Sequence, residues 1–443
     1  MKKRRKVCIK IFLSLLLIGI ALLILFKNNI KSLKSIKKLN DYGIYEMTYY
    51  GDYKLDAFLK DSVDGNGEMQ QYVAKKASEN APDSLDIPNN GCTTFVTNDS
   101  QNNLIYARNF DFSYTPSMLL HTNPSNGYAS VSVINLTFLG YSEDNIPANF
   151  LGMYYDFPVQ TLPFFPIDGM NEKGVSISLL ATANNQSENI VNKIFNLNTT
   201  AAIRLVLDKA SNVEDAINIL KNYHMYISDD SYFNYLIADN TGSSVIIDYC
   251  NDNFFISKSD QNPQIISTDN CTLPILTVFF DEGTSDEDIQ NVGNQIKSQP
   301  EVLEIKSESA DEAWEKMKKE YWKNTGTNDG FNDDNPLVNS FNYQIYVKKN
   351  YSLTRLISYI QSLEHVRGIN QGNITAEEWI TSRIKTSASK LDMYNTIFLL
   401  NATSLFDIKS YNNTQYSIIY NLTEQTGKIW THKNEQNILD FKL

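Results

Sequence analysis

The chain of 443 residues is long enough for one large domain or two of medium size, and 42% hydrophobic residues are enough for a packed core. The first 40 residues contain 11 Lys and Arg and no acidic residue, which leaves 28 basic against 51 acidic side chains in the remainder. A body this acidic argues against binding to the phosphate backbone, so no nucleic-acid partner is expected.

The amino terminus has the pattern of a membrane anchor. Five basic residues at positions 2–6 precede the apolar residues 7–26, in which Lys10 is the one charge. We therefore expect residues 1–27 to form a cytoplasmic basic stub and a transmembrane signal anchor, with the acidic body outside a bacterial cell membrane that it crosses once. A cleaved signal peptide is the alternative, because the uncharged part of the run is short for a membrane span.

Residues 28–91 are predicted to be a propeptide or linker. They are rich in Lys and Asn at first and mixed later, with a short helical pattern at 70–80. The stretch 81–91 (APDSLDIPNNG) is rich in Pro, Asn and Asp, which is typical of an exposed loop. Such a loop is a suitable place for a proteolytic cut.

From Cys92 onward, short β-branched and apolar runs alternate with turn sequences. Predicted strands cover residues 93–97, 104–108, 129–139, 174–180, 232–238, 244–249, 416–422 and 427–432. Predicted helices cover residues 199–210, 213–223, 352–363, 375–390 and 393–404, with a charged, helical insertion at about 283–345. Strands at both ends with helical pairs between them favour a layered α/β domain over residues 92–443.

Cys92 is the strongest candidate for a nucleophile. A thiol nucleophile needs a proton acceptor nearby. The chain has four histidines: His121, His224, His365 and His432. None of them lies in a recognisable Cys–His motif. If the bond after Gly91 is broken, by attack of the Cys92 thiol on the Gly91 carbonyl, the new α-amine of Cys92 (pKa about 7.7–8.0) is the nearest base.

Three segments resemble the choloylglycine hydrolase family of N-terminal-nucleophile hydrolases, the group of bile salt hydrolase, penicillin V acylase and acid ceramidase. They are Cys92-Thr-Thr, Arg108-Asn-Phe-Asp111 and Asp168-Gly-Met-Asn171-Glu-Lys-Gly174. Residues 237–248 and 414–422 also fit, so the resemblance spans nearly all of 92–443. It implies an αββα four-layer sandwich and no cofactor or metal. It also implies hydrolysis of a linear amide, or transfer of its acyl group, through a Cys92 thioester.

The resemblance implies roles for individual residues. Cys92 would be the nucleophile and its amine the base, Asp111 would hold that amine, and Arg108 would stabilise the thiolate. Asn270 would donate to the oxyanion if one residue is inserted; otherwise Asp269, a poor donor, falls at that position.

Two further family positions are less regular. A second asparagine of some members falls on Ala181, so that donor is absent or replaced. The family's last site residue, an arginine in a helical stretch, is expected at Arg383, with Arg355 as the alternative.

These departures leave the substrate open among bile amides, penicillin V, fatty-acid amides and cell-wall amides. For the partners of the chain, the sequence leaves open a retained propeptide chain or a homo-oligomer. Two other functions remain in competition: a cell-wall Cys–His peptidase or transpeptidase, and a non-catalytic surface protein of the same fold that binds a ligand.

Overall fold

The fold is taken from a computed structural model of the chain. The residues described are 26–64, 71–73, 75, 92–112, 114–145, 159–181, 195–226, 233–250, 253–258, 264–267, 272–315, 318, 335, 341–348, 353–386, 392–404, 413–431 and 437–443.

Helices and strands are numbered here in chain order over those residues. The helices α1 to α8 are Lys27–Lys34, Leu55–Asp64, Thr199–Lys209, Val213–Leu220, Asp286–Lys297, Leu353–Gln361, Ala376–Thr386 and Met393–Thr403. The strands β1 to β21 are Lys37–Lys38, Ile44–Thr48, Thr93–Asn98, Leu104–Phe112, Ser117–Thr122, Ser130–Asn135, Pro166–Asn171, Ser176–Ala181, Phe195–Asn198, Tyr223–Tyr226, Phe233–Ala238, Ser244–Cys250, Asn253–Lys258, Gln264–Ser267, Thr272–Phe280, Val302–Glu308, Asn342–Val347, Val366–Thr375, Asn413–Asn421, Thr426–Trp430 and Leu439–Lys442.

Two sheets packed face to face form the centre of the molecule. Sheet A has the order β1-β2-β5-β6-β7-β8-β11-β12-β13, and sheet B has the order β14-β3-β4-β19-β20-β21. Helices α3 and α4 pack on sheet A, and α7 and α8 pack on sheet B. Between the sheets, the Tyr106 hydroxyl lies 2.5 Å from Ser178 Oγ and donates to the Leu236 carbonyl at 3.0 Å. The predicted mixed α/β fold is therefore confirmed, with helices outside two central sheets.

The predicted strands and helices of the domain are present, and their ends on the described residues differ from the prediction by at most four residues. The predicted strand at 129–139 is the main exception, since it ends at Asn135. Residues 136–139 form a 3-10 helix in which the Asn135 side chain accepts from the Thr137 amide, and Gly140 (φ 87°) ends it. Apolar residues that resemble a strand in sequence thus form a buried helical turn.

Part of the segment that was predicted as propeptide or linker is built into the sandwich. Strand β2 pairs in parallel with β5 and lies between β5 and β1. Tyr45, Met47, Tyr53 and Phe58 are at most 3% exposed, and fully burying an apolar side chain contributes about 1.5–3 kcal/mol. Residues 26–64 are therefore structural, and the predicted boundary at Cys92 stays a prediction.

The predicted membrane anchor lies outside the described residues. None of the helices in the described ranges is both long and apolar enough to cross a membrane. The loop at 81–91 also lies outside these ranges, so the anchor and the exposed loop both stay predictions.

In the insertion predicted to be helical at about 283–345, the described residues contain helix α5 but also strands β16 and β17, so the prediction is corrected for these two strands. They belong to a sheet module, the inserted module, that is built from β15 to β18. It has the order β16-β17-β15-β18 with antiparallel neighbours, and α5 and α6 connect its strands, which is the split βαβ arrangement of ferredoxin-like folds. Strand β16 (VLEIKSE) carries charges between apolar residues, because the module has its own core on one face. The high density of charged residues at positions 302–308 therefore led to the prediction of a helix where the structure has a strand.

We predict that Gly174→Ala destabilises the fold more than Gly242→Ala. Both glycines have positive φ, which costs a residue with a Cβ about 1–2 kcal/mol. A Cβ at Gly174 would lie 2.6 Å from the Leu422 carbonyl oxygen, whereas nothing lies within 4 Å of one at Gly242. The clash adds about 1–3 kcal/mol. Equal losses of unfolding free energy in urea would contradict this packing between the two sheets.

Candidate active site

Cys92 lies at the centre of the candidate active site, where it precedes β3 at the interface of the two sheets. The side chain is a thiol rather than half of a disulfide, and the residue is 4% exposed. Arg108 Nη2 donates to the Cys92 sulfur at 3.4 Å. Strands β3 and β4 pair so that Thr94 faces Arg108, and this register brings the nucleophile candidate and the arginine together. The predicted Cys92–Arg108 contact is present.

Arg108 is completely buried, and its guanidinium is held on several sides. Nη1 donates to the Ile167 carbonyl and to Asp168 Oδ2, both at 2.9 Å, and Nη2 also donates to the Leu179 carbonyl at 2.5 Å. These partners belong to β7 and β8 of sheet A, whereas Arg108 belongs to β4 of sheet B. The arginine therefore links the two sheets directly beneath the thiol.

Asp168 is a site residue to which the sequence analysis gave no role. It is fully buried, and its carboxylate accepts from the hydroxyls of Tyr416 and Tyr420 at 2.5 Å each, in addition to Arg108. The two tyrosines are four residues apart on β19, so both side chains point between the sheets. A buried tyrosine hydroxyl needs a partner, but no local pattern in the sequence shows that Asp168 is the partner of these two tyrosines.

Asp111 lies at the far end of β4 from the hairpin turn, and it is 2% exposed. Its carboxylate accepts from the Thr414 hydroxyl. The pairing of β19 with β4 shifts by one residue between Thr414 and Tyr416, which is a β-bulge. Bulges often reposition side chains next to active sites. Asp111 and Arg108 thus lie on one strand beside Cys92.

The charges around Cys92 act in opposite directions. Burial raises the pKa of the Cys92 thiol above its ordinary value; the Arg108 guanidinium opposes this rise, and the Asp111 carboxylate adds to it. Burial lowers the pKa of Arg108, but the charges of Cys92, Tyr416 and Asp168 outweigh that effect and hold this pKa above its usual range. The thiol is therefore the resting form, next to a permanent cation.

The two tyrosines stay protonated. Burial and the Asp168 carboxylate together raise the pKa of Tyr416 and of Tyr420 well above the ordinary value. Both hydroxyls can therefore act only as donors to Asp168 at neutral pH. This keeps the carboxylate oriented toward Arg108.

The structure does not place the remaining predicted site residues beside Cys92. Asn270 and Asp269 lie outside the described residues, so the oxyanion donor stays a prediction. Ala181 ends β8, and its side chain is also outside the described set. Arg383 forms an ion pair with Glu304, and Arg355 with Glu301. Both glutamates belong to the inserted module, so the role of either arginine at the site stays a prediction.

His121 and His365 have partners away from Cys92. His121 Nε2 lies 3.3 Å from a Glu46 carboxylate oxygen, and burial lowers the pKa of this histidine. His365 Nε2 lies 4.0 Å from Asp288 in the inserted module. Among the described residues, no three His, Cys, Asp or Glu side chains are grouped so that they could bind a metal ion.

Two family models match the chain. Residues 92–268 match "Linear amide C-N hydrolases, choloylglycine hydrolase family", and this range contains Cys92, Arg108, Asp111 and Asp168. Residues 275–381 match the FtsX extracellular domain, and this range coincides with most of the inserted module. No curated protein matches the chain.

Solved structures are similar to the chain at low sequence identity. A mutant of conjugated bile acid hydrolase from Clostridium perfringens has 15% identity and a TM-score of 0.40, covering 80% of this chain and 92% of its own. A second variant of the same enzyme has 12% identity and a TM-score of 0.38, covering 79% and 92%. Penicillin V acylase from Agrobacterium tumefaciens has 14% identity and a TM-score of 0.36, covering 80% and 86%.

We predict that Arg108→Gln raises the pKa of the Cys92 thiol. Losing a hydrogen bond from a cation to a thiolate costs about 1.5–3 kcal/mol, or roughly one to two pKa units. Alkylation of Cys92 by iodoacetamide at pH 7 should slow about tenfold or more. Rates are measured against pH by mass spectrometry, on chains of equal length. Arg367→Gln, a variant at an exposed position of β18, should leave the profile unchanged; an unshifted profile in the Arg108 variant would contradict the assignment.

Proposed function

Because the chain belongs, through residues 92–268, to the choloylglycine hydrolase family of linear amide C–N hydrolases, we propose that Cys92 is its nucleophile and that the chain activates itself by a cut before Cys92. The enzyme is a hydrolase of carbon–nitrogen bonds in linear amides. The observation that carries the assignment is the 3.4 Å contact between the Cys92 sulfur and Arg108, inside the matched region.

The activating cut uses the same thiol. The Cys92 sulfur attacks the Gly91 carbonyl carbon, the bond from that carbon to the Cys92 nitrogen breaks, and the nitrogen takes up the thiol proton. Water then hydrolyses the thioester, which leaves a carboxylate on Gly91 and a thiol on Cys92. The amine released is a base of ordinary pKa about 7.7–8.0 on the same residue, so no histidine is needed.

Amide hydrolysis follows the same pattern. The Cys92 amine takes the thiol proton, the sulfur adds to the substrate carbonyl, and the proton passes to the departing nitrogen as the C–N bond breaks. Water, deprotonated by the same amine, then hydrolyses the thioester and releases the acid. An acceptor amine in place of water gives acyl transfer.

Several groups would support these steps. Arg108 stabilises the thiolate, and Asp111 holds the amine once it forms. Asn270 is the proposed donor to the oxyanion, where one donor is worth about 10²–10³ in rate. The substrate class is a small acylated amide. The solved structures of similar chains are named for conjugated bile acids and for penicillin V.

We place the catalytic domain outside the cell, on the membrane. The basic stub and apolar run at residues 1–27 support an anchor of the signal type. The match of residues 275–381 to an extracellular domain supports the same side of the membrane.

We predict that the purified protein contains a chain that begins at Cys92. Intact mass and amino-terminal sequencing measure this directly. Cys92→Ala should remain uncut and should show no hydrolysis of conjugated bile acids, penicillin V or N-acyl amines. Cys92→Ser tests the nucleophile conservatively, and we expect its cut to be slower by several orders of magnitude, because the alcohol is a weaker nucleophile at neutral pH.

An uncut protein with full activity would contradict the amine as base. Hydrolysis by Cys92→Ala at the wild-type rate would show that Cys92 is not the nucleophile. A wild type that is neither cut nor hydrolytic, and that behaves like Cys92→Ala, would support a ligand-binding role for the fold. Ser404→Ala changes a buried hydroxyl at the end of α8 and serves as the matched control, with both cutting and turnover preserved.

We predict that none of the four histidines is required for turnover. His121, His224, His365 and His432 are each replaced by Gln, and kcat is measured on whichever amide the wild type hydrolyses. Changes within a few-fold are expected, since the base is the Cys92 amine. Loss of activity by 10²-fold or more in one folded variant would instead indicate a Cys–His pair and a peptidase-type mechanism.

A further inference from the structure

Strand β18 forms one edge of the sheet in the inserted module. The sheet has the order β16-β17-β15-β18, and β18 pairs with β15 from the Thr272–Thr375 pair to the Phe280–Val366 pair. In the described part of the chain, no strand pairs with the other side of β18. The N–H and C=O groups of every second residue of β18 therefore point away from the sheet.

Helices cover the two faces of the sheet at the ends of β18. Val366 and Ile369 pack against an apolar cluster to which α6 contributes. Ile374 packs on the other face against a cluster to which α7 contributes. The four residues between them, 370–373 (NQGN), are all exposed. The middle of the strand is therefore accessible along its free edge.

The two edges of the sheet differ in charge. Strand β16, at the opposite edge, carries Glu304, Lys306 and Glu308 within seven residues, and Glu304 forms an ion pair with Arg383. Strand β18 (VRGINQGNIT) has Arg367 as its one charge in ten residues and contains no proline. Proteins commonly use charged residues and prolines to keep an edge strand from pairing with another chain. Strand β16 has this protection, whereas β18 lacks it.

A β-bulge determines which part of β18 can pair. Phe280 pairs with Val366 and Phe279 with Gly368, so Arg367 is the extra residue on β18. From Gly368 to Thr375 the register with β15 is continuous over eight residue pairs. A regular strand of this length presents the main-chain groups of about four residues to a new neighbour.

From these features we propose that the free edge of β18, residues 368–375, binds an extended segment of a partner protein, which adds a fifth strand to the sheet. A row of alternating N–H and C=O groups is complementary to an extended main chain. All neighbours in this sheet are antiparallel, and antiparallel pairs are slightly more stable than parallel ones. The bound segment would therefore run opposite to β18.

Arg367 adds a charge requirement for the partner segment. It is exposed and lies at the amino-terminal end of the stretch that can pair. An antiparallel segment has its carboxyl end at this position, so an acidic residue or a chain-terminal carboxylate there would pair with the guanidinium. The side chains at 370–373 are uncharged. The expected partner segment is thus extended, uncharged in its middle and acidic at its carboxyl end.

The test measures binding of a fluorescein-labelled peptide, Thr-Val-Thr-Ile-Thr-Val-Thr-Glu, to full-length Cys92→Ala in mild detergent. The site uses neither the thiol nor the cut, so the result does not depend on the proposed function. Two further peptides carry N-methyl groups on either the even or the odd amides. In an edge-strand complex alternate amides bond to β18, so one of these peptides should bind about tenfold or more weakly and the other within about threefold of the parent.

Equal affinities of the three peptides would overturn the proposal, because binding through side chains alone does not distinguish alternate amides. No measurable binding of the parent peptide at about 1 mM would also overturn it.

Hydrogen exchange measured by mass spectrometry locates the bound peptide. Saturating peptide should slow amide exchange at residues 368–375 and leave β16 unchanged as the internal control. Protection of β16 instead would overturn the assignment. Protection of 368–375 that increases with protein concentration in the absence of peptide would assign the edge to a second copy of this chain, and would also overturn the proposal.

A double-mutant cycle tests the charge requirement. Arg367→Gln should weaken binding of the parent peptide about two- to fivefold, since the ion pair is exposed. Replacing the final Glu of the peptide by Gln should cause the same loss with the wild-type edge and no further loss with Arg367→Gln. Lys297→Gln is the matched control, because it removes an exposed cation from α5, which packs on β16, and should leave the affinity unchanged. Additive losses would contradict the antiparallel orientation.

Discussion

The buried guanidinium of Arg108 joins most of the features described here. It is fully enclosed, yet it has a carboxylate and two carbonyls as partners from the opposite sheet and the Cys92 sulfur as a neighbour. A buried cation without such partners would cost several kcal/mol. The packing of sheet A on sheet B and the electrostatic environment of the thiol therefore depend on the same group.

The partners of Arg108 are themselves held by more distant elements. Asp168 is oriented by Tyr416 and Tyr420, while the strand that carries it follows the 3-10 helix Val159–Phe164, against which residues 27–64 pack. Each of these contacts connects parts of the chain that are far apart in sequence. The site is consequently sensitive to changes outside it, and the segment 27–64 is one source of that sensitivity.

The sequence predicted the parts of the fold with strong local signals. The predicted strands 93–97 and 104–108 and the predicted strands 232–238 and 244–249 are present as two antiparallel pairs, because Gly, Asn and Asp in the residues between them favour turns. Strand β2 was missed because its five residues alternate weakly in sequence and acquire their burial from distant elements, β5 and α1 among them. Asp168 was visible as part of a motif, but its role depends on tyrosines some 250 positions away, which local patterns cannot reveal.

The parallel pairing of β2 with β5 also affects how the enzyme unfolds and refolds. In the uncut chain, the two strands are tethered, so each has a high effective concentration for the other. The proposed cut lies between them and removes the tether. Renaturation of the mature protein would then be bimolecular and dependent on dilution. Its lifetime would be governed by the rate of first unfolding, that is, by kinetic rather than equilibrium stability.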